Sequence, residues 1–81
     1  MNIEIIMPKW GLTMEEGTLV DWRVERRDRV EKGQVLANVE TDKVVNELES
    51  PESGIVSEIL VPSGTDGVAV GTVLCIIEKA D

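Results

Sequence analysis

Histidine, phenylalanine and tyrosine are missing from the 81 residues, and cysteine occurs once, as Cys75. Without histidine, a zinc site would need an unusual ligand set, and a nucleophilic cysteine would lack its usual activating base. A single cysteine forms no internal disulfide. A chain this short therefore depends on a lean apolar core, since it buries only about 60% of the surface its unfolded form exposes. No stretch resembles a membrane span or a signal peptide, and the opening MNIEII has an acid where a signal would carry bases. The expectation is a bacterial cytoplasmic protein, with a mature mitochondrial-matrix or plastid chain as the alternative. Positive charge is scarce as well: 8 basic residues face 16 acidic ones, for a net charge of -8. That balance disfavours nucleic acid, whose backbone demands cations, and anionic membrane surfaces. No glycine-rich phosphate loop or metal-ligating cluster is visible. Helix is hard to place, because the best candidate, LTMEEGTLVDW, contains Gly17 and runs directly into β-rich sequence.

Valine and isoleucine dominate the apolar residues that are present, which favours strands. Alternating segments predict strands at 3–7, 18–24, 34–41, 44–50 and 54–61. The segment 68–78 divides at Gly71 into a short strand or bridge and a terminal strand. Pro51, Gly54, Pro62 and Gly64 punctuate the second half. The chain also contains itself twice. GTLVDWRVERR (17–27) overlies GIVSEILVPSG (54–64), matching Gly17 with Gly54, Trp22 with Ile59 and Val24 with Val61. With one extra residue in the second copy, VEKGQVLANVE (30–40) overlies VAVGTVLCIIE (68–78), matching Gly33 with Gly71, Val35 with Val73, Leu36 with Leu74 and Glu40 with Glu78. Two similar halves that each hide the other's apolar face make one all-β domain, a flattened barrel or sandwich spanning 1–81. The overlay sets Arg27 on Gly64; if both turns need a positive φ, arginine pays where glycine does not, and the alternative is that the extra residue in the second copy makes the two turns differ.

The stretch NVETDKVVNEL (38–48) interrupts two alternations with Asp42-Lys43. If these two residues form a turn, Thr41 faces Val44, Val39 faces Asn46, Ala37 faces Leu48 and Val35 faces Ser50. Val35, Ala37, Val39, Val44 and Leu48 then share one face, and Asn38, Glu40, Val45, Glu47 and Glu49 the other. Leu36 breaks the rule, as does its mate Leu74, and both are expected to be covered at a sheet edge. Asn46, on the inner face, needs partners if buried. Lys43 is placed at an exposed tip, within a segment from Glu40 to Glu58 that holds six acids and one lysine. Exposed lysines at tips ordinarily do no more than keep a protein soluble. This one is a poor catalyst, since nothing buries it and its acidic neighbours favour the charged form. It suits attachment of a flexible group that visits sites elsewhere.

From residues 3 to 78 the chain resembles the lipoyl domains of 2-oxo acid dehydrogenase complexes, within the biotinyl/lipoyl attachment family. MPKWGLTMEEG, VEKGQVLANVETDK, PESGIVSEILVPSG and VGTVLCII carry the resemblance, and Glu40-Thr41-Asp42-Lys43 is its specific signal. The resemblance implies two four-stranded antiparallel sheets related by a pseudo-twofold axis. It implies (R)-lipoate in amide linkage on Lys43, with Glu40, Thr41, Asp42 and Val44 shaping the turn for the lipoate-attaching enzyme. Its implied partners are a thiamine-diphosphate-dependent decarboxylase, an acyltransferase core and a dihydrolipoamide dehydrogenase. The domain itself is then a non-catalytic, monomeric carrier, the N-terminal part of a longer acyltransferase chain. MPKWGL favours an acetoin-cleaving system over pyruvate or branched-chain oxo acids. Where the family often has Gly-Asp, this chain has Arg27-Asp28, which leaves that turn's geometry open. In the family, the loop after the first strand lies beside the lysine turn. Trp10, Glu15 and Glu16 in PKWGLTMEEG (8–17) are therefore the expected partner-selecting residues, while Leu12 and Met14 are expected to cap the barrel end.

The other readings are a biotin carboxyl carrier domain and a binding module without any covalent group. Biotin carriers typically flank their lysine with methionines, whereas here the neighbours are Asp42 and Val44. An enzyme built on Cys75 is disfavoured, because VLCII reads as a buried strand. Trp22, mated to Ile59, is expected to belong to the core.

Overall fold

The computed structural model describes residues 1–41 and 44–79. These form eight strands and, among the described residues, no helix: β1 (Asn2–Ile6), β2 (Glu16–Trp22), β3 (Arg29–Val30), β4 (Val35–Thr41), β5 (Val44–Glu49), β6 (Gly54–Ile59), β7 (Thr65–Ala69) and β8 (Val73–Lys79). They make two four-stranded sheets, ordered β1-β8-β6-β3 and β5-β4-β2-β7, with every pairing antiparallel. The molecule is flattened, at 36 × 22 × 17 Å. The expected all-β architecture of two sheets is therefore met. The two-residue β3 was not separable from its surroundings by alternation. Its repeat mate could have located it, since Val30 and Val68 match in the overlay and both are buried.

The internal repeat is a structural one. Arg27 N–H donates to Val56 O and Gly64 N–H donates to Leu19 O, both at 2.7 Å. Donor has exchanged with mate and acceptor with mate, as a pseudo-twofold axis requires. Arg23 N–H to Leu36 O, at 2.7 Å, is matched by Leu60 N–H to Leu74 O, at 2.9 Å. The core is paired in the same way: Leu19 with Val56, Leu36 with Leu74, Ala37 with Cys75 and Val39 with Ile77 are all essentially fully buried. Trp22 and Ile59 are each half-buried against that core, and the indole Nε1–H donates to Val61 O at 2.7 Å.

Two sequence expectations need correction. Val35 pairs with Glu49, not with Ser50. Between Val35 and Ala37 strand β4 advances two residues while β5 advances one, so Leu36 sits in a β-bulge. Strand β8 has the matching irregularity between Val73 and Cys75 opposite Ile6 and Ile5, which places Leu74 likewise. The bulge lets two successive residues be buried, Leu36 with Ala37 and Leu74 with Cys75. Neither leucine lies at a sheet edge, because β4 and β8 are inner strands. Ser50, displaced from the ladder, is buried and satisfied: its N–H donates to Gln34 O at 2.9 Å, its carbonyl accepts from Gly33 N–H at 2.7 Å, and its hydroxyl donates to Glu52 O at 2.6 Å.

The turn containing Arg27 does carry a positive φ, of 80°, against 85° at its mate Gly64. A non-glycine residue held in the left-handed region costs about 1–2 kcal/mol. Glycine there costs roughly 0.5–1 kcal/mol in lost chain entropy. Arg27→Gly is therefore expected to stabilise the fold by about 0.5–1 kcal/mol, read as a higher urea midpoint at unchanged slope. A lower midpoint would mean that the arginine side chain contributes more than its backbone costs.

Candidate functional site

The β4–β5 ladder runs to its last pair, Thr41 with Val44, above Glu40 with Val45 and Val39 with Asn46. Asp42 and Lys43, on which the attachment expectation rests, lie outside the described residues; in sequence they join that last pair. The described base of the hairpin is firmly held. Asn46 Nδ2 donates to Thr41 Oγ1 at 3.1 Å, which supplies the partner its half-buried amide requires. On the other side, β2 approaches closely because Gly17 has no side chain: a Cβ there would stand 3.1 Å from Val39 Cγ1 and 3.3 Å from Thr41 Cγ2. Glu40 is exposed and pairs with both Val45 and Thr18.

The β1–β2 loop comes to the same end. It is turned by Met14 N–H donating to Gly11 O at 3.1 Å, and Trp10 N–H donates to Met14 Sδ at 3.3 Å. Between loop and hairpin lies an open cleft of about 510 Å³, whose walls include Trp10, Met14 and Glu15 on one side and Thr41, Val44 and Asn46 on the other. Glu16 also reaches it. The structure thus brings the expected loop residues Trp10, Glu15 and Glu16 together with Thr41 and Val44. Trp10 is 39% exposed, which accords with a large ring that the core does not claim.

Leu12 differs from expectation. It is 96% exposed and caps nothing, whereas Met14 is partly buried against the core. The difference follows from the turn at Gly11, which sends the two side chains in different directions. Val44 differs too: grouped by register with the apolar face, it is 55% exposed. Alternation assigns a face to each residue but not the depth of the layer opposite, and at the hairpin tip the facing element is the open loop. Thr13 also lines the cleft; no pattern in the sequence marks it.

Cys75 is fully buried, as expected for a structural residue. Its repeat mate is Ala37, so the position calls for a small side chain. Burial pushes its thiol from 9.0 up to about 12. The folded protein therefore keeps the proton that an unfolded chain releases above pH 9. The stability this provides is complete below pH 9 and is lost as pH climbs toward 12, by about 1.4 kcal/mol per pH unit. Urea titrations at pH 8 to 11 should show a steeper alkaline decline for the wild type than for Cys75→Ala. Parallel profiles would refute this account.

The family model described as "Biotin-requiring enzyme", the biotin/lipoyl attachment domain, matches residues 3–77, and the chain belongs to that family. The resemblance to the biotinyl/lipoyl attachment family read from the motifs is thereby met. Across 99% of its length the chain is 45% identical to the dihydrolipoyllysine-residue acetyltransferase component of the pyruvate dehydrogenase complex from Zymomonas mobilis. It spans only 18% of that relative. The lipoyl domain of the Azotobacter vinelandii 2-oxoglutarate dehydrogenase complex has the same fold, with a TM-score of 0.75 over 96% of this chain and 99% of that one, at 24% identity. A single-chain, multi-domain long-chain acyl-CoA carboxylase contains the fold as well, with a TM-score of 0.80 over 99% of this chain and 7% of that one, at 20% identity.

Proposed function

We propose that this domain is a lipoyl carrier, holding (R)-lipoate in amide linkage on Lys43. The observation that carries the reading is the hairpin whose ladder closes at Thr41–Val44, so that the Glu-Thr-Asp-Lys motif ends a buttressed strand pair. The Thr41–Asn46 bond and the close approach at Gly17 fix the base from which the lysine departs. Asp42, Glu40 and Val44 present it to the lipoate-attaching enzyme. When bound, lipoate supplies a dithiolane able to take up an acyl group and two electrons. The barrel's own task is tethering: it makes successive encounters intramolecular and raises the effective concentration of the cargo. The partners are a thiamine-diphosphate-dependent decarboxylase, an acyltransferase core and dihydrolipoamide dehydrogenase, and the domain is one part of a longer acyltransferase chain in the bacterial cytoplasm.

The fold alone does not separate lipoate from biotin, since the carboxylase shares it. The motif and the name of the Zymomonas relative favour lipoate. Incubation with a lipoate ligase should add one lipoyl amide to the intact mass, while a biotin ligase adds nothing. The reverse result would make this a biotin carrier, and no increment with either a simple binding module.

Substrate choice belongs to the decarboxylase that docks here. The relative's name favours pyruvate, whereas MPKWGL favours acetoin, and reductive acylation of the lipoylated domain by each type of decarboxylase separates them. Trp10, flanked by Glu15 and Glu16, is the exposed aromatic beside the tip, and such rings dominate interface energetics. Trp10→Ala should leave folding and lipoylation intact and lower kcat/KM for the cognate decarboxylase about tenfold, the equivalent of roughly 1.4 kcal/mol. An unchanged value would move the specificity to Glu40, Glu47 and Glu49.

A further inference from the structure

We infer that the cleft between the β1–β2 loop and the hairpin is a resting site for the domain's own lipoyl group, so that the arm alternates between a docked and an extended state. This rests on lipoate being attached at Lys43. The first support is reach. Thr41 and Val44 both line the cleft, and they are the residues on either side of Asp42-Lys43. Lys43 is bonded directly to Val44 in the chain, and its four-carbon stem followed by an eight-carbon acyl chain is long enough to reach a cleft that Val44 itself lines.

Size is the second. A volume of about 510 Å³ falls within the roughly 300–1,000 Å³ typical of small-molecule sites. The third is chemistry. The Trp10 ring, the Met14 thioether and the Val44 side chain offer an apolar, polarisable surface of the kind that sulfur favours. Trp10 N–H on Met14 Sδ ties the first two together. Thr13 and Asn46, at the cleft's polar edge, can meet the amide linkage. Docking would cover apolar surface that is otherwise exposed on Trp10 and Val44, which are 39% and 55% accessible. Glu15 and Glu16 repel a thiolate, so the site accepts the neutral disulfide, dithiol or thioester and disfavours an ionised sulfur. The docked state is a shelter whose occupancy a partner must overcome, and any partner that grips Trp10 competes with the arm for it.

The test uses the isolated 81-residue domain in unmodified and lipoylated forms, with no partner protein present. Intact mass and peptide mapping first establish one lipoyl group on Lys43; if they fail, the carrier reading fails and the cleft is not at issue. In protein that passes, the Trp10 indole N–H, the Met14 methyl and the Asn46 side-chain amide should shift in NMR spectra, with cross-relaxation from arm methylenes to the indole. Trp22, bonded to Val61 O, serves as the internal control and should not shift. In a Trp22→Phe background, acrylamide quenching of Trp10 should fall about twofold on lipoylation if docked and extended states are near equally populated. Unchanged signals at Trp10, Met14 and Asn46, with no cross-relaxation, in protein of the correct mass would overturn the proposal.

Discussion

Gly54→Ala is expected to destabilise the domain by about 3 kcal/mol, at or beyond the upper end of ordinary overpacking costs. Gly54 opens β6 where that strand lies against β8, opposite Lys79 and also paired with Val30. A Cβ at this position would collide with the Glu78 carbonyl oxygen and stand 2.8 Å from Ile77 Cγ2. A backbone carbonyl in a central ladder cannot swing aside as a side-chain end can, so the strands must part. For a domain this small, a loss of that size lowers Tm by roughly 12–24 °C. The repeat mate supplies the control. A Cβ on Gly17 would stand 3.1 Å and 3.3 Å from the methyls of Val39 and Thr41, whereas the nearest backbone atom, the Glu40 carbonyl oxygen, lies at an ordinary contact distance of 3.4 Å, and Gly17→Ala is expected to cost about 1 kcal/mol. Thermal unfolding of both variants checks the order; equal losses would mean that the two halves yield in the same way and that the carbonyl is not the rigid element.

The second large effect is on modification. Lys43→Arg should abolish lipoate uptake altogether while leaving Tm within about 2 °C, because the substitution keeps the charge and the sequence gives Lys43 no place in the apolar core; a solvated charge of this kind contributes well under about 1 kcal/mol. Arginine keeps the positive charge, so lost uptake cannot be assigned to altered electrostatics. The other lysines, Lys9, Lys32 and Lys79, follow no motif of the same kind. Residual lipoate in the variant, mapped to any of them, would remove Lys43 from its assigned role. A large drop in Tm would show that Lys43 has a structural engagement beyond the hairpin.

Much of this was legible in the residues because the chain says it twice. The overlay of 17–27 on 54–64 and of 30–40 on 68–78 located mates that the structure buries together and bonds reciprocally. By setting Arg27 on Gly64 it also posed the question of an arginine at a positive φ, which the structure answers with 80° and 85°. The hairpin register was readable from Thr41–Val44 down to Ala37–Leu48, where strict alternation holds. It failed at Val35, because a bulge adds a residue without changing the apolar character of the sequence, and Leu36 was the only outward sign. The cleft was the least legible feature. Its walls come from a loop whose turn at Gly11 exposes Leu12 and directs Met14 inward, and a one-dimensional pattern does not record which of two neighbouring apolar residues turns away.

The burial of Cys75 has a consequence for the cargo. Thiol–disulfide exchange requires a thiolate with access to the sulfur it attacks. The barrel's one thiol has neither: it is sealed between the sheets and stays protonated to about pH 12. A dithiolane carried on this domain, or the dithiol it becomes, would therefore find no accessible thiolate in its own scaffold. Mixed disulfides within the domain are shut out while it remains folded. A lipoyl arm on this domain would thus exchange electrons with agents outside the barrel and not with a thiol of its own scaffold.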